Sequence, residues 1–296
     1  MINFVIISFY LIIFIIIFVA TIYNYNKDET KIGKSEIKIN KKIKLSNESK
    51  YCKMINQYDT DNEIVIPIGF NEKNEVKTIS LSKTPNLLVI GTTGGGKSIL
   101  LNNIIASLSI KYTKEDIRIL TMDTSIVELS TFNSIPHYIK NTISYPKDII
   151  DELDEIQKEI NRRKNQKERQ PLLVVIDDLY DICTYQNSIF SRIVQLLEES
   201  KDLDIYFLLT TDTPSEKIFN KELLELINGS IYLTLSPGED EEFSLIEQLE
   251  KEDIDFITKI GNLIYIHDNI KEKLTVPEIT EKEIKEIIRF YNTNKN

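Results

Sequence analysis

The sequence predicts an α/β fold: a mainly parallel sheet covered by helices on both faces, preceded by one N-terminal transmembrane helix. Three observations carry this expectation. Short runs of Val, Ile and Leu alternate with amphipathic stretches from residue 64 to residue 266. Strands with a helix layer on each side need apolar residues at every position, so they lose the in–out alternation of a half-exposed sheet. A single glycine-rich loop joins one such run to a helical stretch, and an uncharged apolar segment fills the first two dozen residues.

That apolar segment runs from Ile2 to Tyr23 without a charge. About 20 residues of helix span roughly 30 Å, the hydrocarbon thickness of a bilayer. A cleaved signal peptide is the competing reading. Against it, no Lys or Arg precedes the run, the run exceeds the length of an h-region, and no small-x-small site follows. Residues 1–26 are therefore expected to be a membrane anchor and 27–63 a basic juxtamembrane linker. Between Lys27 and Lys53 nine lysines stand against four acids. The positive-inside rule then puts the following domain in the cytoplasm and the N-terminus outside. The linker lysines are also suited to anionic headgroups or plain solvation.

The remaining body, residues 64–296, is long enough for one domain with a large core. With an overall charge of −10, residues 54–296 carry −15, which leaves no broad electrostatic footprint for nucleic acid. Two cysteines, Cys52 and Cys183, and two histidines are too few and too scattered for a disulfide framework or a metal site.

Within the body, Ile64–Ile68 and Val76–Leu81 are expected to form a hairpin around Asn71-Glu72-Lys73-Asn74. Asn86–Ile90 is a short apolar strand bounded by Pro85 and Gly91, and Ile99, Leu100, Asn103, Ile104, Ser107 and Leu108 carry a helical period after it. Further strands are expected at Ile117–Asp123, Leu172–Asp177, Ile205–Thr210, Ser230–Leu235 and Leu263–Ile266. Helices are expected at about 147–167, near 187–201, and at Thr280–Tyr291, with Thr280 and Glu283 as a capping box.

The loop between the first strand and its helix is Gly91-Thr92-Thr93-Gly94-Gly95-Gly96-Lys97-Ser98, the pattern G-x-x-x-x-G-K-S. Four of the chain's nine glycines fall in these eight positions, in the strand–loop–helix setting that a phosphate-binding P-loop requires. Glycines allow successive N–H groups to turn toward phosphate oxygens, and the helix N-terminus adds partial positive charge. Lys97 is placed to reach the β- and γ-phosphates and Ser98 to hold Mg²⁺, so ATP with Mg²⁺ is the expected ligand. Strand Leu172–Asp177 ends in two adjacent carboxylates. Asp177 is expected to support Mg²⁺ opposite Ser98, and Asp178 to act on the attacking water as a catalytic base beside Lys97.

Several ordered blocks then carry a family resemblance: Thr84–Gly91, Met122–Ser130, Ile135-Pro136-His137, Tyr145–Asp148, Val175–Asp181 and Thr210–Pro214. Together, from about Ile64 to Ile266, they resemble the motor domain of the FtsK/SpoIIIE DNA translocases, within the HerA/FtsK superfamily. The resemblance implies a RecA-like ATPase that assembles as a ring, homo-oligomeric or mixed with a related ATPase, and moves double-stranded DNA in segregation or conjugative transfer. Wider relatives drive proteins through type VII secretion systems.

Some positions depart from the family pattern. Asp178 stands where the family usually has Glu, Asp212-Thr213 where it usually has Gln-Arg, and Lys201 where an arginine often acts across subunits. A carboxylate shorter by one methylene and the missing guanidinium fork both bear on turnover. The alternative to a hydrolysing translocase is thus a weakly or non-hydrolysing ATP-binding subunit that docks in a DNA-transfer or type VII-like assembly. The remaining features have plain readings: Arg162-Arg163-Lys164 with Lys167 and Arg169 as a solvated helix end or a DNA-facing cluster, Glu239–Glu242 as an acidic helix start, and Tyr180 as core or nucleotide packing.

Overall fold

The computed structural model describes residues 48–60, 63–125, 129–215, 217–235 and 248–293, with the isolated residues 43 and 45. The expected membrane span, residues 2–23, and the acidic run at 239–242 lie outside the described residues. Among those described, no helix is long and apolar enough to cross a membrane.

Among the described residues nine strands form one sheet: β1 (Val65–Phe70), β2 (Val76–Ser80), β3 (Asn86–Ile90), β4 (Arg118–Asp123), β5 (Leu172–Asp177), β6 (Ile205–Thr211), β7 (Gly229–Tyr232), β8 (Asn262–His267) and β9 (Ile270–Thr275). Their order is β2-β1-β9-β8-β7-β3-β6-β5-β4. The run β7-β3-β6-β5-β4 is parallel throughout. From β7 outward every pairing is antiparallel, so the sheet is mixed and not mainly parallel as expected. The difference arises at Asp268 and Asn269, both with positive φ, which close β8 onto β9 in a tight turn. Strand β9, Ile-Lys-Glu-Lys-Leu-Thr, buries little beyond Leu274 and has no apolar run to announce it.

The parallel strands have the expected composition and its cause is visible. All residues of β3, β5 and β6 are buried. On one face Leu88, Ile90, Val174, Ile176, Phe207 and Leu209 join a core with α3 (Pro146–Arg163) and α5 (Asn187–Glu199). Helix α3 starts with Pro146 in its first turn and buries Ile149, Leu153, Ile156 and Ile160, the 3–4 spacing of one helix face. Helix α2 (Lys97–Lys111) is instead buried almost all round, from Leu100 to Ile110 except Asn102. Its polar residues explain how that is tolerated. Asn103 donates to the Pro277 carbonyl at 2.5 Å and accepts from the Ile279 N–H at 3.1 Å, and Ser107 and Ser109 bond carbonyls of their own helix.

Two further elements pack on α2. Helix α8 (Glu281–Thr293) begins with the predicted capping box: Thr280 N–H donates to Glu283 at 2.8 Å and Glu283 N–H to Thr280 Oγ1 at 3.3 Å. Its Tyr291 hydroxyl donates to the Ser109 carbonyl at 2.6 Å. The stretch expected to be linker holds helix α1 (Lys50–Gln57), capped by Ser49. Tyr51 is fully buried, its hydroxyl 3.0 Å from Ser107 Oγ, and Ser49 and Cys52 both donate to Glu283. Residues 49–57 therefore pack with the body, held by the buried Tyr51, Cys52, Met54 and Ile55 and by the Glu283 carboxylate.

Candidate nucleotide site

Parallel strands run in one direction, so their carboxyl ends line one edge of the sheet. The register aligns Asp123 with Asp177 and Ile90 with Thr211 along that edge. Loop 91–98 leaves β3 there and enters α2, as the sequence predicts. Gly94 and Gly96 have φ of 75° and 104°, left-handed values that side chains rarely adopt. At Gly95 a Cβ would lie 2.8 Å from the Thr92 carbonyl oxygen and 2.9 Å from that of Thr234, so only hydrogen fits. Gly91 N–H donates to the Thr211 carbonyl and Thr92 N–H to that of Thr234, which ties the loop to both neighbouring strand ends. Lys97 Nζ donates to the Gly91 carbonyl at 2.8 Å, folding the side chain back over the loop. Ser98 follows in the first turn of α2.

The two carboxylates of β5 differ in their surroundings. Asp177 is buried and accepts a hydrogen bond from Thr210 Oγ1 of β6. Asp178 begins helix α4 (Leu179–Tyr185) with φ 59°, and its N–H donates to the same Thr210 hydroxyl at 3.0 Å. Asp178 Oδ1 is shielded from solvent and has no hydrogen-bond partner. Burial, then the negative charges of Asp212 and Asp181, push its carboxyl up to about 6. Asp212 behaves differently. Burial works to raise it, but hydrogen bonds from Thr93 (2.7 Å) and Thr213 (3.0 Å) and the charge of Lys97 hold it below the usual carboxylate range.

The strand ends thus bring together loop 91–98, Asp177, Asp178 and Asp212. Sequence reasoning placed Thr210 at the head of the block Thr210–Pro214 but gave it no role. The signal for a role was a hydroxyl in an apolar strand, one position past the last pair of the β5–β6 register, Ile176 with Leu209. Asp123, at the end of β4, is engaged by Ser125, whose N–H and hydroxyl both donate to it. Residues 126–128 of that block lie outside the described residues.

Other sequence candidates fall elsewhere. Lys201 is exposed just before β6, at the opposite end of that strand from Thr211, so it contributes nothing to this site within its own chain. Arg163 of the basic cluster is buried and donates to the carbonyls of Leu203, Asp204 and Gln170 at 2.7–2.9 Å. Arg169 donates to the Arg163, Gln166 and Asp202 carbonyls, while Arg162 pairs with Glu159. Arg163 and Arg169 staple the turns around β5, whereas Arg162, Lys164 and Lys167 are exposed, as expected of a solvated helix end. Tyr180 packs against the core. A cleft of about 660 Å³ opens at the far end of the sheet, by Lys77, Tyr265 and His267. Lys77 and His267 already share Glu272 there, and the cleft lies away from the phosphate loop.

The blocks that build this edge also decide the family. The sequence profile of the FtsK/SpoIIIE family matches residues 54–252. The chain belongs to the FtsK/SpoIIIE family. Among relatives, the DNA translocase FtsK of Streptococcus pneumoniae (strain ATCC BAA-255 / R6) is 24% identical over 267 residues, 80% of this chain and 34% of its own length. That of Listeria monocytogenes serovar 1/2a is 25% identical over 208 residues, 61% and 28%. The chain spans about a third of the length of these relatives. By fold it is similar to the cytoplasmic domain of the Thermomonospora curvata type VII secretion ATPase EccC, with a TM-score of 0.65, 14% identity and coverage of 87% and 34%. It is also similar to the pCW3 conjugation coupling protein TcpA, with a TM-score of 0.57, 16% identity and coverage of 86% and 75%. An FtsK/SpoIIIE member with this fold is a P-loop ATPase in architecture, and such proteins use a nucleotide, typically with Mg²⁺.

Proposed function

We propose that the chain is a membrane-anchored ATP-hydrolysing motor that moves double-stranded DNA as part of a ring. Family membership and the FtsK relatives support the cargo, the uncharged stretch 2–23 and the lysines after it support the anchor, and the strand-end cluster supports the chemistry. Gly91–Ser98 bind the phosphates, with Lys97 leaving the Gly91 carbonyl for the β- and γ-phosphates. Ser98 and Asp177 suit Mg²⁺, a hard cation that takes few protein oxygens and completes its shell with water and phosphate. Asp177, a buried carboxylate, and the Ser98 hydroxyl are oxygen donors of the kind that group takes and would hold it, and it would supply positive charge against the phosphates.

The observation that carries hydrolysis is Asp178. Its Oδ1 is desolvated and unpartnered, and its backbone is pinned by Thr210. With its carboxyl pushed up to about 6 it is ionised at neutral pH yet basic enough to take a proton. Water attacks the γ-phosphorus, its proton passes to Asp178, and ADP leaves with the electrons of the broken bond. One observation favours the second reading, a weakly hydrolysing docking subunit: Asp212 sets a further negative charge against loop residue Thr93, where phosphate charge accumulates.

The test is steady-state ATP hydrolysis by the full chain in detergent, with and without linear double-stranded DNA, against Lys97→Ala. Turnover that rises with DNA and drops about 100-fold or more in Asp178→Asn supports the motor. A wild-type protein that binds ATP but turns over no faster than Lys97→Ala sinks it in favour of the docking subunit.

A further inference from the structure

We infer that Thr210 is a positioning residue that sets both acids of the site through one hydroxyl. This deepens the hydrolytic reading above and rests on it for its rate arm alone. Thr210 is fully buried in β6, and its Oγ1 meets two groups of the neighbouring strand end: it donates to Asp177 Oδ1 and accepts from the Asp178 N–H at 3.0 Å. A hydroxyl has one proton and two lone pairs, so the two bonds have fixed and opposite senses. The donated proton is spent on Asp177, which fixes the rotation of that carboxylate. The accepted one holds the peptide N–H of a residue whose φ of 59° leaves it outside the ladder of β5.

The geometry assigns Thr210 a task that neither acid can perform for itself. Asp178 stands in a left-handed conformation, which costs an L-residue energy and persists only where surrounding contacts hold it. Its Oδ1 has no partner and its carboxylate otherwise reaches forward to the Asp181 backbone, so the side chain does not hold the residue's own N–H. The other contacts near the turn also leave this N–H to Thr210: Asp212 is bonded to Thr93 and Thr213, and the Asp178 carbonyl accepts from Ile182 in the first turn of α4. Thr210 is moreover rigid. As a β-branched residue in the middle of the parallel sheet, paired with Val89 of the phosphate-loop strand, it has little rotamer freedom. The strand that leads into the phosphate loop thereby indexes the two carboxylates against that loop.

Full-length Thr210→Val keeps the shape and deletes the hydroxyl, leaving one carboxylate oxygen and one N–H without this partner. The expected result is a kcat about 10–100-fold lower with KM changed less than about threefold, and more Mg²⁺ needed for half-saturation with a fluorescent ATP analogue. Thr210→Ser, which retains the hydroxyl, returns both measurements to within about threefold of wild type. Thr210→Ala serves as a second deletion with no added bulk, and thermal melting verifies folding of each variant. Valine and alanine variants with wild-type kcat and Mg²⁺ dependence overturn the inference, as does a serine variant as impaired as valine, which would assign the effect to packing. If the wild type shows no turnover above Lys97→Ala, the hydrolytic reading fails, and the Mg²⁺ titration still decides the role of Thr210.

Discussion

The two halves of the sheet obey different rules. In the parallel half, β7-β3-β6-β5-β4, nearly every strand residue is buried and all chemistry gathers at one edge. In the antiparallel half, β2-β1-β9-β8, strand β2 carries Lys77 and strand β9 carries Lys271, Glu272 and Lys273, and charged pairs such as Lys77–Glu272 decorate the surface. A parallel strand must return through a helix, so each adds a layer of cover and a loop at the same end. An antiparallel strand returns at once and leaves a face wet. One half therefore builds a site and the other widens the body.

Four tests sharpen or break that contrast. The largest effect is functional: Lys97→Ala should abolish ATP-analogue binding, by roughly 100-fold or more, yet shift Tm by less than about 1 °C. A large loss of Tm would mean the edge is structural too. Next, Leu88→Ala, at a fully buried position of β3, should cost about 3 kcal/mol in urea unfolding, whereas Ile270→Ala, at an exposed position of β9, should cost under about 0.5. Equal costs would erase the distinction between the halves.

The third test concerns pH. His137 follows β4, is buried, and bonds the Tyr112 carbonyl through Nε2. Burial, only partly offset by that bond, lowers its pKa to about 4. The unfolded chain binds the proton first, so stability is full above the ordinary histidine value and is lost as pH falls through the window from about 6.5 to 4. The loss should approach about 3 kcal/mol, and His137→Phe should flatten that limb of a pH-dependent melt. An unchanged limb would place the acid sensitivity elsewhere. The smallest change is Asp253→Asn in α7 (Lys251–Ile257), where a capping box and the ammonium groups of Lys271 (2.5 Å) and Lys273 (3.1 Å) meet one carboxylate. A cost near 1 kcal/mol that shrinks in high salt is expected, since these pairs border solvent. A cost above about 3 would make the antiparallel half as demanding as the parallel one.

How much of this was legible follows from where the determinants lie along the chain. The phosphate loop is local: its glycines, Lys97 and Ser98 are contiguous, and backbone conformation dictates their types. The parallel strands declare themselves because burial on both faces needs uninterrupted apolar runs. Strand β9 does not, since a half-wet strand of alternating Lys and Glu resembles a loop or a helix surface. Arg163 sits in a run of basic residues that suggests solvent, and only the carbonyls of Leu203 and Asp204, forty residues on, show that it is a buried staple. The role of Thr210, though the residue opens a recognisable block, was hidden for the same reason, as it comes from the strand beside it. Helix α1 was hidden in a stretch whose lysines dominate the composition, while the residues that dock it, Tyr51, Cys52, Met54 and Ile55, fall within five positions near the end of that stretch.

That docking gives the molecule a load path. Tension arriving along the chain from its N-terminal side reaches helix α1 through Ser49 and Tyr51. Ser49 is bonded to Glu283 of α8 and Tyr51 to Asn103 and Ser107 of α2. The pull is therefore delivered to the helix whose first two residues are Lys97 and Ser98, two turns ahead of Asn103. It bypasses the sheet's exposed edge strand. A tether fastened there is geared to the phosphate loop itself.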